Sequence, residues 1–392
     1  MRHESPHTVT ASQMQRVCLA LVLSTLCGCG LPHRADVAES LAEIDEARLQ
    51  AHVEALCAIG PRPMEDSAAT ERTVTWLRDA IEDLGLTVEE EAVPVPRASG
   101  QLTATVRRAD ADPDSDDEEI KLPRYFSSYG SRVLSGLSQT LRADGWDVLG
   151  YAMTGATNAT VPTTVPNLLV EIPGTSDRPG LIEISAHYDT VPGCPGADDN
   201  SSGVAAVLEI ARWLQSHPPE RTVRLCFFAG EEQGLLGSEV HVANMLARGD
   251  EVVGLLNLDA VGMATDAPDS QLAPIRILFV TWMPSTGDFI TVIGDWNSGP
   301  LGNLLEAAIE TYTPDLPYYS ANRIGGMFDD AYRSDHAHYW RAGIPAIFIT
   351  DTGEMRWDTY HKPGDVPAAL DFGFLRRVAQ ATAAAALELA RQ

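Results

Sequence analysis

An α/β fold, with a mostly parallel mixed β-sheet sandwiched between helices, is predicted from two observations. After position 165 apolar strands alternate with amphipathic helices, the rhythm of a sheet covered on both faces. The 392 residues are also 44% hydrophobic and include 7 Trp, 10 Tyr and 9 Phe, enough to fill a sizeable core. With 28 Lys+Arg against 55 Asp+Glu, the net charge is −27. That balance disfavours nucleic-acid binding, which needs a basic face to displace counterions. It equally disfavours electrostatic attachment to anionic lipid.

The first helical pattern covers 36–59, where Val37, Leu41, Ile44, Leu49, Val53 and Leu56 recur at roughly helical spacing. Gly60-Pro61-Arg62-Pro63 stops it. A second helix is expected over 67–84, ended by Gly85, followed by strands over 87–95 and 102–107. Seven of the ten residues in 110–119 are acidic, a density that suits a solvated loop and lacks the ligand spacing of a calcium loop. Residues 97–165 read as an insertion. Strands are then expected over 167–172, 181–186, 222–228, 252–258, 275–282 and 346–350. Helices are expected over 201–214, 235–247, 301–312 and 337–342, with a closing one over 366–389. No internal repeat is visible.

The N-terminus reads as an address. Residues 17–26 form an apolar run of ten behind Arg16, too short to cross a bilayer, which takes about 20 residues. A basic flank, a short apolar core and small residues make a secretory signal. Leu26-Cys27-Gly28-Cys29 resembles a bacterial lipobox, in which the last Cys is acylated. Met14 gives a more ordinary start than Met1, and a plain secretory signal without lipid is the alternative. The expectation is an exported protein, periplasmic or membrane-anchored, touching membrane only through a lipid on Cys29. Residues 30–392 then form the mature domain. Six cysteines are too few for a disulfide scaffold. With Cys29 acylated, Cys57, Cys194 and Cys226 remain, so at most one disulfide is possible; Cys226, inside an apolar strand, reads as a buried thiol.

In sheets of this kind ligands bind beyond the carboxyl ends of the strands. There the sequence places His187 and Asp189, Asp198-Asp199-Asn200, Glu231-Glu232, Asp259 and His361. Taken singly, each has an ordinary reading. His187-x-Asp189 is a solvated loop pair, Asp198 a helix N-cap, and Glu231-Glu232 first-turn acids facing a helix dipole. Together these acids and histidines at one sheet edge would repel strongly unless cations neutralised them. Carboxylate and imidazole donors without thiolate suit zinc better than manganese or cobalt. Two ions about 3.5–4 Å apart need one carboxylate that touches both. Asp198 is the expected bridge, with His187 and Asp259 on one ion, and Glu232 and His361 on the other. Asp189 would orient the His187 imidazole, and Glu231 would be free to act as general base.

The same residues carry a family resemblance. Ala186-His187-Tyr188-Asp189-Thr190, the Gly196–Gly203 segment GADDNSSG, the Phe228–Ser238 segment FAGEEQGLLGS, Leu258-Asp259, Ser334-Asp335-His336 and Tyr360-His361 resemble the co-catalytic zinc aminopeptidases of peptidase family M28. The likeness also reaches Gly60-Pro61-Arg62, and covers most of the mature chain outside about 97–165. The resemblance implies the zinc-dependent exopeptidase, phosphorylase/hydrolase-like fold and two zinc ions per chain. It assigns the ligand set His187, Asp198, Glu232, Asp259 and His361, with Glu231 as base and Asp189 as orienting acid. It further implies that Tyr360 polarises the scissile carbonyl, that a cis peptide follows the bridging acid at Asp198-Asp199, and that the substrates are peptides with a free N-terminus. Lys362 and His338-Tyr339-Trp340 depart from the family pattern and are expected at the substrate rim. Two rival readings are a single-zinc glutaminyl cyclase using Asp198, Glu232 and His361, and a non-enzymatic surface lipoprotein. A related dinuclear family with an inserted lid fits less well, because its bridging acid lies farther than 11 residues from the first histidine.

Overall fold

The computed structural model describes residues 31–95, 101–108, 118–121, 146–154, 164–272, 276–277, 280–281 and 283–392. The expected export signal, its Cys29, and acidic residues 110–117 lie outside them. In chain order the helices are α1 (Ala35–Ser40), α2 (Glu46–Ile59), α3 (Ser67–Asp83), α4 (Gly203–Ser216), α5 (Leu236–Arg248), α6 (Gly299–Tyr312), α7 (His336–Arg341) and α8 (Phe372–Ala390). The strands are β1 (Val88–Pro94), β2 (Gln101–Arg108), β3 (Glu118–Lys121), β4 (Trp146–Thr154), β5 (Thr164–Ile172), β6 (Leu181–His187) and β7 (Val223–Phe228). They continue with β8 (Val252–Leu258), β9 (Arg276–Ile277), β10 (Val280–Thr281), β11 (Ile290–Gly294), β12 (Tyr318–Ala321) and β13 (Ala346–Thr350).

Eight strands form one mixed sheet in the order β1-β5-β7-β6-β8-β13-β11-β12. Its centre, β7-β6-β8-β13, is parallel, and antiparallel pairings flank it. The period-two alternation of β7 shows why it needs cover on both sides. Leu225 and Phe227 enter the larger core with α2, α4, α6 and α8, while Cys226 and Phe228 enter a second core with Val242 and Met245 of α5 and Tyr339 and Trp340 of α7. The sandwich expected from the sequence is therefore present. β2, β3 and β4 pair with one another in a separate antiparallel sheet, and Glu118 and Glu119 of the acidic run open β3.

Two expected elements need correction, and two short strands fall outside those expected. The helical pattern over 36–59 is broken by a 3-10 turn at Leu41–Glu43, because Asp45 caps a new helix by accepting the Ala47 amide at 2.9 Å. Of the strand expected over 275–282, the described residues Arg276–Ile277 and Val280–Thr281 pair with each other and not with the large sheet. Short strands β11 and β12 went unforeseen, the latter a half-exposed edge strand without an apolar alternation to reveal it.

Candidate metal centre

Four parallel strands end on the same edge, and each delivers an acid or a histidine there. His187 closes β6, and Asp189 follows it. The turn after β7 carries Glu231 and Glu232, Asp259 follows β8, and Asp351 follows β13. His361 comes from the loop before α8, in the left-handed region at φ +58°.

The side chains meet around Asp199. Its Oδ1 lies 3.1 Å from His187 Nε2, and its Oδ2 lies 3.0 Å from His361 Nε2. Asp259 Oδ1 is 3.5 Å from the same nitrogen of His187, and Glu232 Oε2 is 3.3 Å from that of His361. Two donor triads result, His187/Asp199/Asp259 and Asp199/Glu232/His361, sharing Asp199. The sequence reading that made Asp198 the bridge is thus corrected by one residue, and the cis peptide is Asp199-Asn200 rather than Asp198-Asp199. Asp198 faces away from the triads: its Oδ1 accepts the Gly262 amide at 2.8 Å, and its carboxyl pairs with that of Asp351.

Local backbone dictates which aspartate turns inward. Gly196 sits at φ +65°, and a Cβ there would lie 2.3 Å from Thr190 Cγ2 and 2.4 Å from the Asp199 carbonyl oxygen. Asp365 accepts the amides of Asp198 at 2.8 Å and Asp199 at 3.2 Å. Asn200 donates to the Leu258 carbonyl at 2.9 Å and accepts the Gly203 and Ala260 amides, tying this turn to the strand end that bears Asp259. Buried Arg62 donates to the carbonyls of Leu56, Tyr188, Pro195 and Gly196 and to Ser201 Oγ. One guanidinium thereby joins α2 to the segments that present His187 and Asp199, two of the three that build the first triad.

The remaining expected residues are also placed. Asp189 serves the acid loop more than the imidazole. Its Oδ1 accepts the amides of Gly230 (2.8 Å) and Glu231 (3.2 Å), and its Oδ2 that of Glu232 (3.2 Å). His187 Nδ1 is 3.7 Å from that carboxylate and 3.2 Å from the Asp189 backbone oxygen. Ser334 donates to Asp259 Oδ2 at 2.5 Å and receives a bond from Asn257, which accepts one from Ser185. Tyr360 stacks on His361 with ring centroids 3.9 Å apart. Lys362 is exposed, but Tyr339 and Trp340 are buried in the second core and do not form a rim, Tyr339 donating to Glu183 at 2.6 Å. Cys57, Cys194 and Cys226 are free thiols, and Cys226 is buried as expected.

The electrostatics ask for cations. Burial works against a charged imidazole at His187, yet Asp259 and Glu231 carry its pKa well above 6.5. Burial likewise opposes charge on His361, and Glu232 and Asp199 nonetheless raise its pKa to about 10. Burial, then Asp199, raise Glu232 to about 7, and burial raises Glu231 well above the ordinary carboxylate range. The surrounding carboxylates thus favour positive charge at both imidazoles. His187 Nε2, buried, points between Asp199 and Asp259. Nitrogen and oxygen donors converging without thiolate fit divalent zinc on both sides of Asp199.

Residues 167–386 match the model of Peptidase family M28, and the chain belongs to that family. The uncharacterized protein YfbL of Escherichia coli (strain K12) is 37% identical over 219 residues, which are 52% of this chain and 65% of that protein. The chain therefore spans just under two thirds of that relative's length. The fold is similar to BSAP, a zinc aminopeptidase from Bacillus subtilis, with a TM-score of 0.60 at 20% identity, covering 88% of this chain and 95% of that one. It is also similar to a Bacteroides thetaiotaomicron glutaminyl cyclase, with a TM-score of 0.55 at 17% identity, covering 88% of this chain and 98% of that one. At such identities the likeness to solved structures speaks for the fold alone.

Proposed function

We propose that this M28 protein is a di-zinc aminopeptidase that removes N-terminal residues from peptides. The observation that carries the reading is Asp199, whose two oxygens face one histidine each. His187, Asp199 and Asp259 would hold one zinc, and Asp199, Glu232 and His361 the other. When bound, such an ion pair supplies a water of lowered pKa and polarises the scissile carbonyl.

The chain's own residues then divide the work. Glu231 takes a proton from the water that attacks the carbonyl carbon and hands it to the departing amine as the C–N bond breaks, worth about 10²–10⁴ in rate. Burial raises its pKa and so makes it a stronger acceptor for the water's proton than an exposed carboxylate. Asp189 fixes the loop that presents Glu231, and Ser334 fixes Asp259. Tyr360, its phenol kept protonated chiefly by burial, donates to the carbonyl oxygen as charge develops there. Acidic groups left over at the edge receive the substrate's free ammonium.

A glutaminyl cyclase with one zinc would need only Asp199, Glu232 and His361. The presence of the His187/Asp199/Asp259 triad favours the peptidase. A panel of aminoacyl-fluorogenic peptides separates the two. Release of the first residue from free but not N-acetylated substrates supports the proposal; cyclisation of N-terminal Gln with ammonia release and no hydrolysis contradicts it. We also propose export with a lipid on Cys29, for which mass spectrometry of the membrane fraction should find acyl chains on that residue.

A further inference from the structure

We infer that Asn167 is a positioning residue for the loop that presents Glu231 and Glu232, gripping both its ends, and that Glu91 on the edge strand sets the direction in which the Asn167 amide faces. The inference rests on the reading of Glu231 as base for its kinetic arm only. Asn167 is buried at the register position opposite Glu91, where β5 pairs with β1. Its Oδ1 accepts the Ala229 amide at 3.0 Å, where the loop leaves β7. Its Nδ2 donates to the Gly237 carbonyl at 2.9 Å, where the loop enters α5, and to Glu91 Oε2 at 2.8 Å. Asp189 holds the three residues in the middle, so exit, crest and entry of the loop are each fixed by a buried side chain. Gly237 is packed so closely that a Cβ there would stand 2.5 Å from Asn167 Oδ1.

An amide can face two ways, and its neighbours decide which. Glu91 also accepts from Asn244 Nδ2 at 2.9 Å and lies 3.2 Å from His241 Nδ1. Burial works to raise its pKa, but these partners bring it down to about 2, leaving a carboxylate that only accepts. A turned amide would set oxygen against Glu91 and the Gly237 carbonyl, and NH2 against the Ala229 N–H. All three contacts would fail together.

The test compares Asn167→Ala with the wild-type full chain, both zinc-loaded, by hydrogen exchange and steady-state kinetics, with Glu231→Gln in parallel. Faster amide exchange over 229–237 is expected, together with kcat about 10²-fold lower and KM within threefold, as for a displaced catalytic group. Unchanged exchange at 229–237, or kcat within twofold of wild type, overturns the inference. If the wild type lacks aminopeptidase activity, or Glu231→Gln retains it, the functional reading fails, and the exchange arm alone decides the role of Asn167. Should Asn167→Ala not fold, Glu91 variants replace it. Glu91→Gln keeps an acceptor for the Asn167 amide and should exchange more slowly over 229–237 than Glu91→Ala; equal exchange in the two overturns the inference.

Discussion

Asp365 accepts the backbone amide of Asp199 at 3.2 Å, and from 166 positions away it helps turn that residue, rather than Asp198, toward both histidines. The identity of the shared carboxylate is therefore a property of the turn and its distant brace, and mutation can read it out. Asp199→Ala should lose bound metal and at least about 10³-fold in kcat, since a donor common to both triads is gone. Asp198→Asn should keep both, because an amide can still accept from Gly262 and donate to Asp351. Metal content and turnover of the two variants, measured side by side, check this; the reverse ranking would restore Asp198 as the bridge.

Glu231 bonds to neither histidine, so its removal should separate metal binding from chemistry. Glu231→Gln should retain wild-type metal content and lose about 10²–10⁴ in kcat with little change in KM. Metal analysis with steady-state kinetics provides the check, and a fully active variant would remove Glu231 from its role.

The second buried charge cluster predicts how stability follows pH. His241 lies between Glu91 at 3.2 Å and Glu183 at 3.1 Å, and Glu183 also binds Arg224. Burial alone would discharge the imidazole, but Cys226, Glu183 and Glu91 around it carry its pKa well above 6.5. A group raised on folding contributes fully below its unfolded pKa of about 6.5 and loses that contribution as pH rises through its folded value. His241→Phe should cost about 3–5 kcal/mol at pH 6 by leaving buried carboxylates unpaired. Calorimetric melting across pH 5–9 should show the gap from wild type narrowing toward alkaline pH. A gap that widened with pH would contradict the assignment of charge.

Asp189 spans three consecutive amides, and its loss should be felt in the loop as well as in stability. Asp189→Ala should lower kcat more than about tenfold and leave the amides of Gly230, Glu231 and Glu232 open to exchange, each unmet buried donor costing about 1–3 kcal/mol. Exchange rates at those three residues test it.

The sheet and most of the site were legible because their signals are local. Apolar runs such as 223–228 and acids or histidines directly after them need no knowledge of distant contacts. His187, Glu231, Glu232, Asp259 and His361 all reach the edge where they were expected. The one-residue error at Asp198 arose because both aspartates fit the motif, and only Gly196, Asp365 and Asn200 acting in three dimensions decide which carboxylate turns inward. Arg62 and Ser334 lie within the motifs Gly60-Pro61-Arg62 and Ser334-Asp335-His336, yet their roles depend on partners more than 70 positions away. Asn167 and Glu91 gave no signal beyond a strand pattern, since a buried amide reveals itself only through what it binds.

The proposed pair of zinc ions on either side of Asp199 can be counted in the purified full chain while peptide turnover is followed through chelation and zinc return. Two zinc ions per chain are predicted, with turnover abolished by the chelator and regained as zinc is restored. A protein that hydrolyses peptides at full rate with no bound metal would contradict it.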